Sequence, residues 1–329
     1  MMSRISIDLH LHLDGSLSVL AARRLADMQG IEIPRDDVEL KALLTVSKGC
    51  RDLGEYLEKF DFPLSLLQTS AAIEEAVYML GKELMAENTV YAEIRFAPQL
   101  HTDKGLTQEQ ITEAAIRGFE RSGMLGGLIL CCMRGETNHE LNLETVRVAE
   151  RYLGKGVLAI DLAGNEAGYP NDKFGDIFAV AREKGIPFTI HAGEADGADS
   201  VRKAIELGAN RIGHGVRSLE DKALIELLAN KKIPLELCPT SNLNTAIFSD
   251  ISEYPIRRLM EAGVTVTVNS DNRSVSNTTA AKEMQLLSDT FKLSKAEQKS
   301  LFINSVNAAF CKESVKKQLV CIIGRCNDE

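Results

Sequence analysis

The chain has 329 residues, of which 44% are hydrophobic and 26% are charged, and its formal net charge is −9. This composition is typical of a soluble globular protein, and the length suits one large α/β barrel. The acidic balance excludes a general nucleic-acid binder, which needs a basic surface to neutralise phosphates, so the expected partner is a small molecule.

Short β-branched runs alternate along the chain with longer amphipathic helical patterns, such as those over 199–207, 219–230 and 254–262. Alternating units of this kind predict a closed (β/α)8 TIM barrel of the α/β class. An open doubly wound sheet, the alternative, would carry a Gly-rich phosphate-binding turn early in the chain, and the sequence has none. The predicted strands are Ile5–Leu11, Val90–Phe96, Gly127–Met133, Val157–Asp161, Pro187–His191, Arg211–His214, Pro234–Cys238 and Val264–Asn269.

The interval between the first two strands is much longer than the others and is largely helical. Helical patterns cover Leu17–Met28, Asp52–Leu67 and Ile73–Glu87. In the middle pattern, apolar residues recur at i, i+3, i+4 and i+7 and form one face. That face either packs on the barrel or forms a lid over the strand ends. Because no linker or repeat interrupts the chain, we predict a single domain over 1–329, with this helical insertion at about 17–88.

The sequence contains no run of about eighteen apolar residues that could span a membrane, and its first residues lack the apolar segment of a signal peptide. Its seven cysteines follow irregular spacings and form no paired disulfide framework. These features predict reduced thiols and a cytoplasmic location without membrane attachment. The adjacent Cys131 and Cys132 would face opposite sides of a strand, so we interpret them as core residues.

Histidines are concentrated near the predicted strand ends. His10 and His12 lie two residues apart on the first strand and therefore point to the same face, where two imidazoles can bind one metal ion. Burying two such rings without a partner would be costly, which favours a metal site. His101 and His139 fall in predicted loops or helices and are expected at the surface.

Three further strand ends carry polar groups beside small residues. His191 ends the fifth strand and Glu194 follows it, His214 lies between two glycines after the sixth, and Asp271 follows the eighth. All these ends meet at the same mouth of a barrel. Since no strand-four lysine is available to bridge two ions, a single Zn²⁺ is favoured. Its predicted ligands are His10, His12, His191 and Asp271.

In these motifs the chain resembles the adenosine deaminase family. The resemblance extends from about Ile5 to beyond Phe310 and includes the wider segments 91–98 and 238–242. The other zinc-deaminase design, with His-x-Glu and Pro-Cys-x-x-Cys, is absent. The matching motifs, in chain order, are His-x-His-x-Asp-Gly from His10, Asp-Leu-Ala-Gly from Asp161, His-Ala-Gly-Glu from His191, Gly-His-Gly around His214 and Ser-Asp-Asn around Asp271.

The resemblance implies hydrolytic deamination of adenosine and 2′-deoxyadenosine to inosine and 2′-deoxyinosine, with release of ammonia and one Zn²⁺ per subunit. Zinc would acidify a water molecule for attack at C6 of the purine. The resemblance further implies that Glu194 protonates ring nitrogen N1 and that His214 orients the water and stabilises the charge on its oxygen. Asp271 would be both a metal ligand and a partner of the water.

The resemblance also implies the substrate contacts. His12 and Asp14 would face the ribose, the main chain of Gly164 would approach N3, and Asn272 would meet N7. Asp14 has an alternative role as a loop cap, because Asp-Gly is a common turn. Two positions depart from the family pattern, since Asn272 and Asn165 replace aspartates, and both bear on substrate preference.

Two alternative functions remain open from the sequence. The first is deamination of another 6-aminopurine, namely adenine, an N6-substituted purine or an aminodeoxyfutalosine-type nucleoside; Asp14 favours a nucleoside over a free base. The second is a non-catalytic binding protein that has kept the barrel, although every expected catalytic position is occupied here. The sequence gives no information on oligomeric state.

Overall fold

The structure is a computed structural model that describes residues 5–47, 50 and 52–327. Its strands form two four-stranded parallel sheets, one built from β1 to β4 and the other from β5 to β8, in sequential order. The strands are β1 (Ser6–His12), β2 (Thr89–Phe96), β3 (Gly126–Met133), β4 (Val157–Ala163), β5 (Thr189–Ala192), β6 (Arg211–His214), β7 (Leu235–Leu237) and β8 (Val266–Val268).

Two isolated parallel bridges close these sheets into a barrel, and they pair Leu11 with Asp271 and Ile160 with Phe188. At the first seam, Asp271 N–H donates to the His10 carbonyl at 2.7 Å, and His12 N–H donates to the Asp271 carbonyl at 2.8 Å. This seam therefore joins β1 to the segment after β8 at three of the predicted site residues. The predicted (β/α)8 TIM barrel is confirmed.

The predicted strand boundaries lie within two residues of those in the structure, and Arg211–His214 coincides with β6. The strand β5 begins after Pro187 rather than at it, because proline has no N–H to donate to a sheet. β4 continues past Asp161 to Ala163.

Helices cover the barrel and fill the long interval between β1 and β2. The predicted helical segment 52–67 divides into α3 and α4, joined by a 3₁₀ turn over Glu58–Phe60, and α2 was not predicted. The helix expected from Leu219 begins only at Lys222, because the Asp221 side chain caps it by accepting from two main-chain N–H groups. The helices of the insertion are α1 (Val19–Gln29), α2 (Asp37–Leu44), α3 (Leu53–Leu57), α4 (Asp61–Leu66) and α5 (Ser70–Ala86).

The later helices alternate with the strands, and the last two close the amino-terminal end of the barrel. There, Val306 and Leu319 pack against Ile7, Leu9 and Tyr91. No helix in the described part of the chain is long and apolar enough to cross a membrane. These helices are α6 (Gln108–Ser122), α7 (His139–Tyr152), α8 (Gly175–Glu183), α9 (Ala198–Leu207), α10 (Lys222–Lys231), α11 (Pro239–Asn244), α12 (Ile256–Glu261), α13 (Ala280–Phe291), α14 (Lys295–Ala308) and α15 (Glu313–Asn327).

Gly126, at the start of β3, provides a test of the sheet packing. Its φ is +142°, and a Cβ there would lie 1.8 Å from the Ala92 carbonyl oxygen on β2. Gly123 also has a positive φ of +76°, but a Cβ there would meet open space. We expect Gly123→Ala to cost about 1 kcal/mol of unfolding free energy and Gly126→Ala at least about 2 kcal/mol more, because the β2 main chain must shift. Urea denaturation followed by circular dichroism measures both costs, and equal values would contradict this packing.

Candidate active site

The predicted site residues converge at the carboxyl end of the barrel. His10 and His12 lie on β1, His191 on β5 and His214 at the end of β6, and Asp271 follows β8. His214 and Asp271 have φ values of 60° and 59°, a left-handed conformation that is uncommon outside glycine. Such strained residues concentrate at functional sites, where the surrounding structure holds them in place.

The donor atoms of these residues lie close together. The Asp271 Oδ1 atom lies 3.4 Å from His10 Nε2 and 3.5 Å from His12 Nε2. His12 Nε2 also lies 3.3 Å from His191 Nε2. One donor atom from each of His10, His191, His214 and Asp271 lies within 4.8 Å of the other three. The structure thus brings the predicted ligands together and adds His214 to the same cluster.

The partner of each Nδ1 atom determines what the opposite ring nitrogen offers. His10 Nδ1 lies 2.7 Å from Glu236 Oε2, and His191 Nδ1 lies 3.0 Å from Asp161 Oδ2. An ionised carboxylate only accepts, so each ring carries a hydrogen on Nδ1, and a ring with this one hydrogen directs the Nε2 lone pair into the site. His10 Nε2 is buried and has no hydrogen-bond partner within the described structure. A metal cation would satisfy this unpartnered lone pair, so these residues fit a metal site.

His214 is oriented in the opposite way. The Tyr254 hydroxyl donates to Asn242 Oδ1 at 3.1 Å, which leaves the Asn242 amide nitrogen to donate to His214 Nδ1 at 3.1 Å. Burial holds the pKa of His214 well below its usual value, so the ring is neutral. Its hydrogen then lies on Nε2, which faces Glu194 Oε2 at 3.5 Å. His214 therefore presents an N–H to the site rather than a lone pair.

Beneath the histidines, buried ion pairs hold their carboxylate partners. Arg95 donates from Nη1 to Asp161 and from Nη2 to Glu236, each at 2.9 Å. Arg211 donates to Glu236 at 2.5 Å and to Glu93 at 2.7 Å. All five side chains are at most 1% exposed. Because buried charges are tolerated when they are paired, this network keeps Asp161 and Glu236 ionised under the metal site.

Two carboxyl groups at the mouth have opposite protonation states. Burial, followed by the charges of Asp271 and Glu166, raises the pKa of Glu194 well above its usual range. Although burial opposes ionisation of Asp271, contact with the His10 imidazole, followed by His214 and His12, holds its pKa well below its usual range. Glu194 thus retains a proton at neutral pH while Asp271 is ionised. Such a pair supplies a proton donor and a proton acceptor in the same site.

A cavity of about 260 Å³ lies above this cluster. Leu53, Tyr56, Leu57 and Phe60 of the insertion line it, so the predicted apolar face of 52–67 covers the strand ends. The Tyr56 hydroxyl lies 2.7 Å from Ser276 Oγ and so joins the insertion to the segment after β8. The cavity is therefore apolar on the insertion side and polar at the barrel mouth, as is typical of a small-molecule site.

The cavity is also lined by the positions that the sequence connected with the substrate, namely Asp14, Gly164, Asn165 and Asn272. Asp14 accepts from Gly15 N–H at 3.0 Å, as in a capped turn, and burial raises its pKa to about 6. Asn272 Nδ2 donates to Asp271 Oδ1 at 2.8 Å. An amide nitrogen carries two hydrogens, so one is left for a ligand.

Sequence reasoning missed the residues that orient the site. Glu236 gave the clearest signal, because it is a carboxylate in the middle of the short buried strand β7. Asp161 begins the Asp-Leu-Ala-Gly motif and Asn242 ends the matching segment 238–242, but the sequence assigned no role to either residue. Arg134 and Glu166 lie in segments without a distinct pattern. The missed residues are Asp161, Glu236, Asn242, Arg134 and Glu166.

Two histidines outside the site had been expected at the surface. His139 is exposed, as predicted. The prediction for His101 is wrong, because this residue is fully buried. Its Nδ1 contacts the Leu67 carbonyl at 2.9 Å, and burial lowers its pKa to about 4. The insertion covers it, which the local sequence did not indicate. Cys131 and Cys132 are buried, so their interpretation as core residues is confirmed.

Comparisons with known proteins agree on one family. A family model described as adenosine deaminase matches residues 6–324. An adenosine deaminase of Haemophilus ducreyi is 46% identical over 326 residues, which cover 96% of this chain and 95% of that protein. The solved adenine deaminase of Arthrobacter aurescens has a TM-score of 0.88 at 26% identity and covers 98% of this chain and 99% of its own. The Arabidopsis N6-mAMP deaminase has a TM-score of 0.86 at 26% identity, with 98% of each chain covered.

Glu283 supports the helix α11, which carries Asn242, and makes the stability of the fold depend on pH. It is buried on α13 and accepts from Thr240 N–H at 3.0 Å and from the Thr278 hydroxyl. Burial raises its pKa from 4.5 to about 7. The folded state therefore keeps this proton over a range where the unfolded chain has lost it, so stability falls as pH rises between those values.

We expect Glu283→Gln, which mimics the protonated form, to remove this loss. Relative to the wild type, the variant should gain about 3 kcal/mol of unfolding free energy between pH 4.5 and pH 8. Urea denaturation at both pH values measures the difference. A difference that does not change with pH would contradict a protonated Glu283 in the folded state.

Proposed function

The chain belongs to the adenosine deaminase family, and we propose that its barrel mouth catalyses the hydrolytic deamination of adenosine and 2′-deoxyadenosine to inosine and 2′-deoxyinosine, with release of ammonia. The observation that carries the proposal is the arrangement of three groups around one small space: protonated Glu194, ionised Asp271 and neutral His214 presenting an N–H. Deamination at C6 requires a proton donor, a proton acceptor and a stabiliser of negative charge.

The metal in this proposal is one Zn²⁺ per chain. The acceptor orientation of His10 and His191 supports their assignment as ligands, and the N–H of His214 argues against a ligand role there. Three nitrogens and one oxygen suit zinc. When bound, zinc makes a water molecule acidic enough to supply hydroxide near neutral pH. The proposed ligands are His10, His12, His191 and Asp271.

The chain's own residues then act on the purine. Glu194 donates its proton to N1, which makes C6 electrophilic. Asp271 accepts a proton from the attacking water, and the Nε2–H of His214 donates to the oxygen as it gains negative charge. The amino group receives the proton taken from water and leaves C6 as ammonia. The hydroxyl at C6 then gives its proton to the Glu194 carboxylate as the carbonyl group of inosine forms, which restores the acid. The raised pKa of Glu194 keeps its proton available until N1 takes it.

The substrate proposed is a nucleoside rather than a base or a nucleotide. Asp14 offers a carboxyl group to ribose hydroxyls beside His12, while Gly164 and Asn272 approach N3 and N7. Arg134 is the one Lys or Arg among the described residues that line the cavity, and both its terminal nitrogens already donate to protein oxygens. A 5′-phosphate would therefore find no second Lys or Arg side chain in this lining, and of the Arg134 nitrogens only the buried Nε lacks a hydrogen-bond partner within the described structure.

We further propose that residues 1–329 act as one deaminase domain and that the enzyme is cytoplasmic. The buried, unbridged thiols of Cys131, Cys132 and Cys238 are typical of a reducing compartment.

The deciding experiment measures the 6-oxopurine product that zinc-loaded protein forms from adenosine, 2′-deoxyadenosine, adenine and N6-methyladenosine in parallel, because the last substrate would release methylamine rather than ammonia. We expect turnover of the first two, and a fall in kcat of ~10²–10⁴-fold in Glu194→Gln, because the amide cannot donate a carboxyl proton. Zinc content should not change. Glu183→Gln, an exposed change on α8, is the matched control. If only another purine is turned over, the proposed substrate is wrong. A wild-type kcat in Glu194→Gln would contradict the role of Glu194 as the acid.

A second variant tests the orientation of His214. In Asn242→Asp the new carboxylate accepts from Nδ1, so the ring hydrogen moves away from Nε2. Loss of this donor should lower kcat ~10²–10³-fold. Steady-state kinetics, with ¹⁵N NMR of the His214 ring to identify its tautomer, measures both effects. Full activity with Nε2 deprotonated would rule out a donor role for His214.

A further inference from the structure

The turn that follows β5 carries the catalytic acid, and one buried carboxylate holds its main chain. Glu166, in the segment after β4, is 1% exposed. Its Oε1 atom accepts from Gly193 N–H at 2.7 Å. Its Oε2 atom accepts from the N–H groups of Glu194, Ala195 and Asp196 at 3.0, 2.7 and 3.1 Å. Four successive main-chain donors thus converge on a single side chain.

A second buried charge holds the end of β5 from which the turn starts. Arg134, which follows β3, donates from Nη2 to the His191 carbonyl at 2.6 Å and to Asn171 Oδ1 at 2.8 Å. Asn171 Nδ2 donates to Ser200 Oγ at 2.9 Å, and Ser200 Oγ donates to Glu166 Oε1 at 2.5 Å. The turn is therefore enclosed by a continuous network that runs from β3 to α9.

This network has no substitute within the described structure. The helix α9 that follows the turn begins at Ala198, and its N-cap residue Gly197 offers no side-chain cap. The four N–H groups would lose their acceptor if Glu166 were removed, and an unpaired main-chain donor is costly where it is buried, as at Gly193 and Glu194. Hydrogen bonds to an ionised carboxylate are also stronger than those to a neutral group.

We propose that Glu166 is a positioning residue, which fixes the main chain of 193–196 and thereby aims the Glu194 carboxyl group at the purine N1. This inference rests on the proposed function, which makes Glu194 the acid. Glu166 is not among the described residues that line the cavity, so it acts on the reaction through the turn. The charge of Glu166 also raises the pKa of Glu194, after the effects of burial and of Asp271.

Two substitutions remove the hydrogen bonds of Glu166 to different extents. Glu166→Ala removes every acceptor, and we expect kcat to fall ~10²-fold, because a displacement of about 1 Å has an effect of that size. Glu166→Gln retains one oxygen for the N–H groups of 194–196, while its amide can donate to Ser200, whose hydroxyl is able to accept. We therefore expect partial rescue, with kcat about tenfold below wild type.

The test uses the zinc-loaded full chain and compares kcat with three further readouts: zinc content, KM for adenosine and direct binding of inosine. If Glu166 is a positioning residue, kcat decreases from wild type to Glu166→Gln and further to Glu166→Ala. Zinc content, KM for adenosine and the affinity for inosine stay unchanged. Binding of purine riboside, whose C6 hydrate resembles the tetrahedral intermediate, should weaken in parallel with kcat. Leu259→Ala, a buried change on α12, lowers stability elsewhere and should keep wild-type kcat.

Two results would overturn the inference: wild-type kcat in both Glu166 variants, or a loss of zinc and inosine binding in proportion to kcat, as expected of a general structural defect. If Glu166→Ala does not fold, Glu166→Gln decides by the same readouts. Amide hydrogen exchange at 193–196 separates this inference from the proposed function. Faster exchange in Glu166→Gln supports the network even if wild type fails to deaminate adenosine, and unchanged exchange refutes it.

Discussion

The candidate site depends on the buried ion pairs that Arg95 makes. Its guanidinium pairs with Asp161 and Glu236 inside the barrel, and these carboxylates each hold the Nδ1–H of a histidine. Removing one partner alone would leave a buried charge uncompensated, which destabilises a fold more than replacing the whole ion pair with apolar side chains. The ionised state of the carboxylates and the direction of the two Nε2 lone pairs therefore have the same physical cause.

The mouth of the barrel combines groups that would behave alike in water. Glu194 and Asp271 are both carboxylic acids, yet burial keeps one protonated while His10 keeps the other ionised. His191 and His214 are both buried imidazoles. The carboxylate of Asp161 at Nδ1 makes the Nε2 of His191 an acceptor, whereas the amide of Asn242 at Nδ1 makes the Nε2 of His214 a donor. The chemistry of each group is thus set by its neighbour rather than by its residue type.

Hydrogen bonds to main-chain groups also hold the segments that carry the site residues at the mouth of the barrel. The seam between β1 and the segment after β8 consists of main-chain hydrogen bonds made by His10, His12 and Asp271 themselves. The side chains of Glu166 and Arg134 also bind main-chain groups, Glu166 in the turn after β5 and Arg134 at the His191 carbonyl on β5. Closing the barrel and assembling this part of the site are therefore one structural event, and the left-handed φ of Asp271 lies at the seam itself.

The sequence by itself determined the alternation of strands and helices and the side chains at the strand ends. Barrel topology brings those ends together whatever the details, so His10, His191, His214 and Asp271 could be placed at one mouth from their position alone. Only the tertiary structure decided how each side chain is used. Burial of His101 under the insertion, the tautomer imposed by Asn242 and the four N–H groups collected by Glu166 depend on contacts between residues distant in the chain. Periodicity and local motifs carry no record of such contacts, because the free energy that fixes a proton or a turn comes from the partner across the fold.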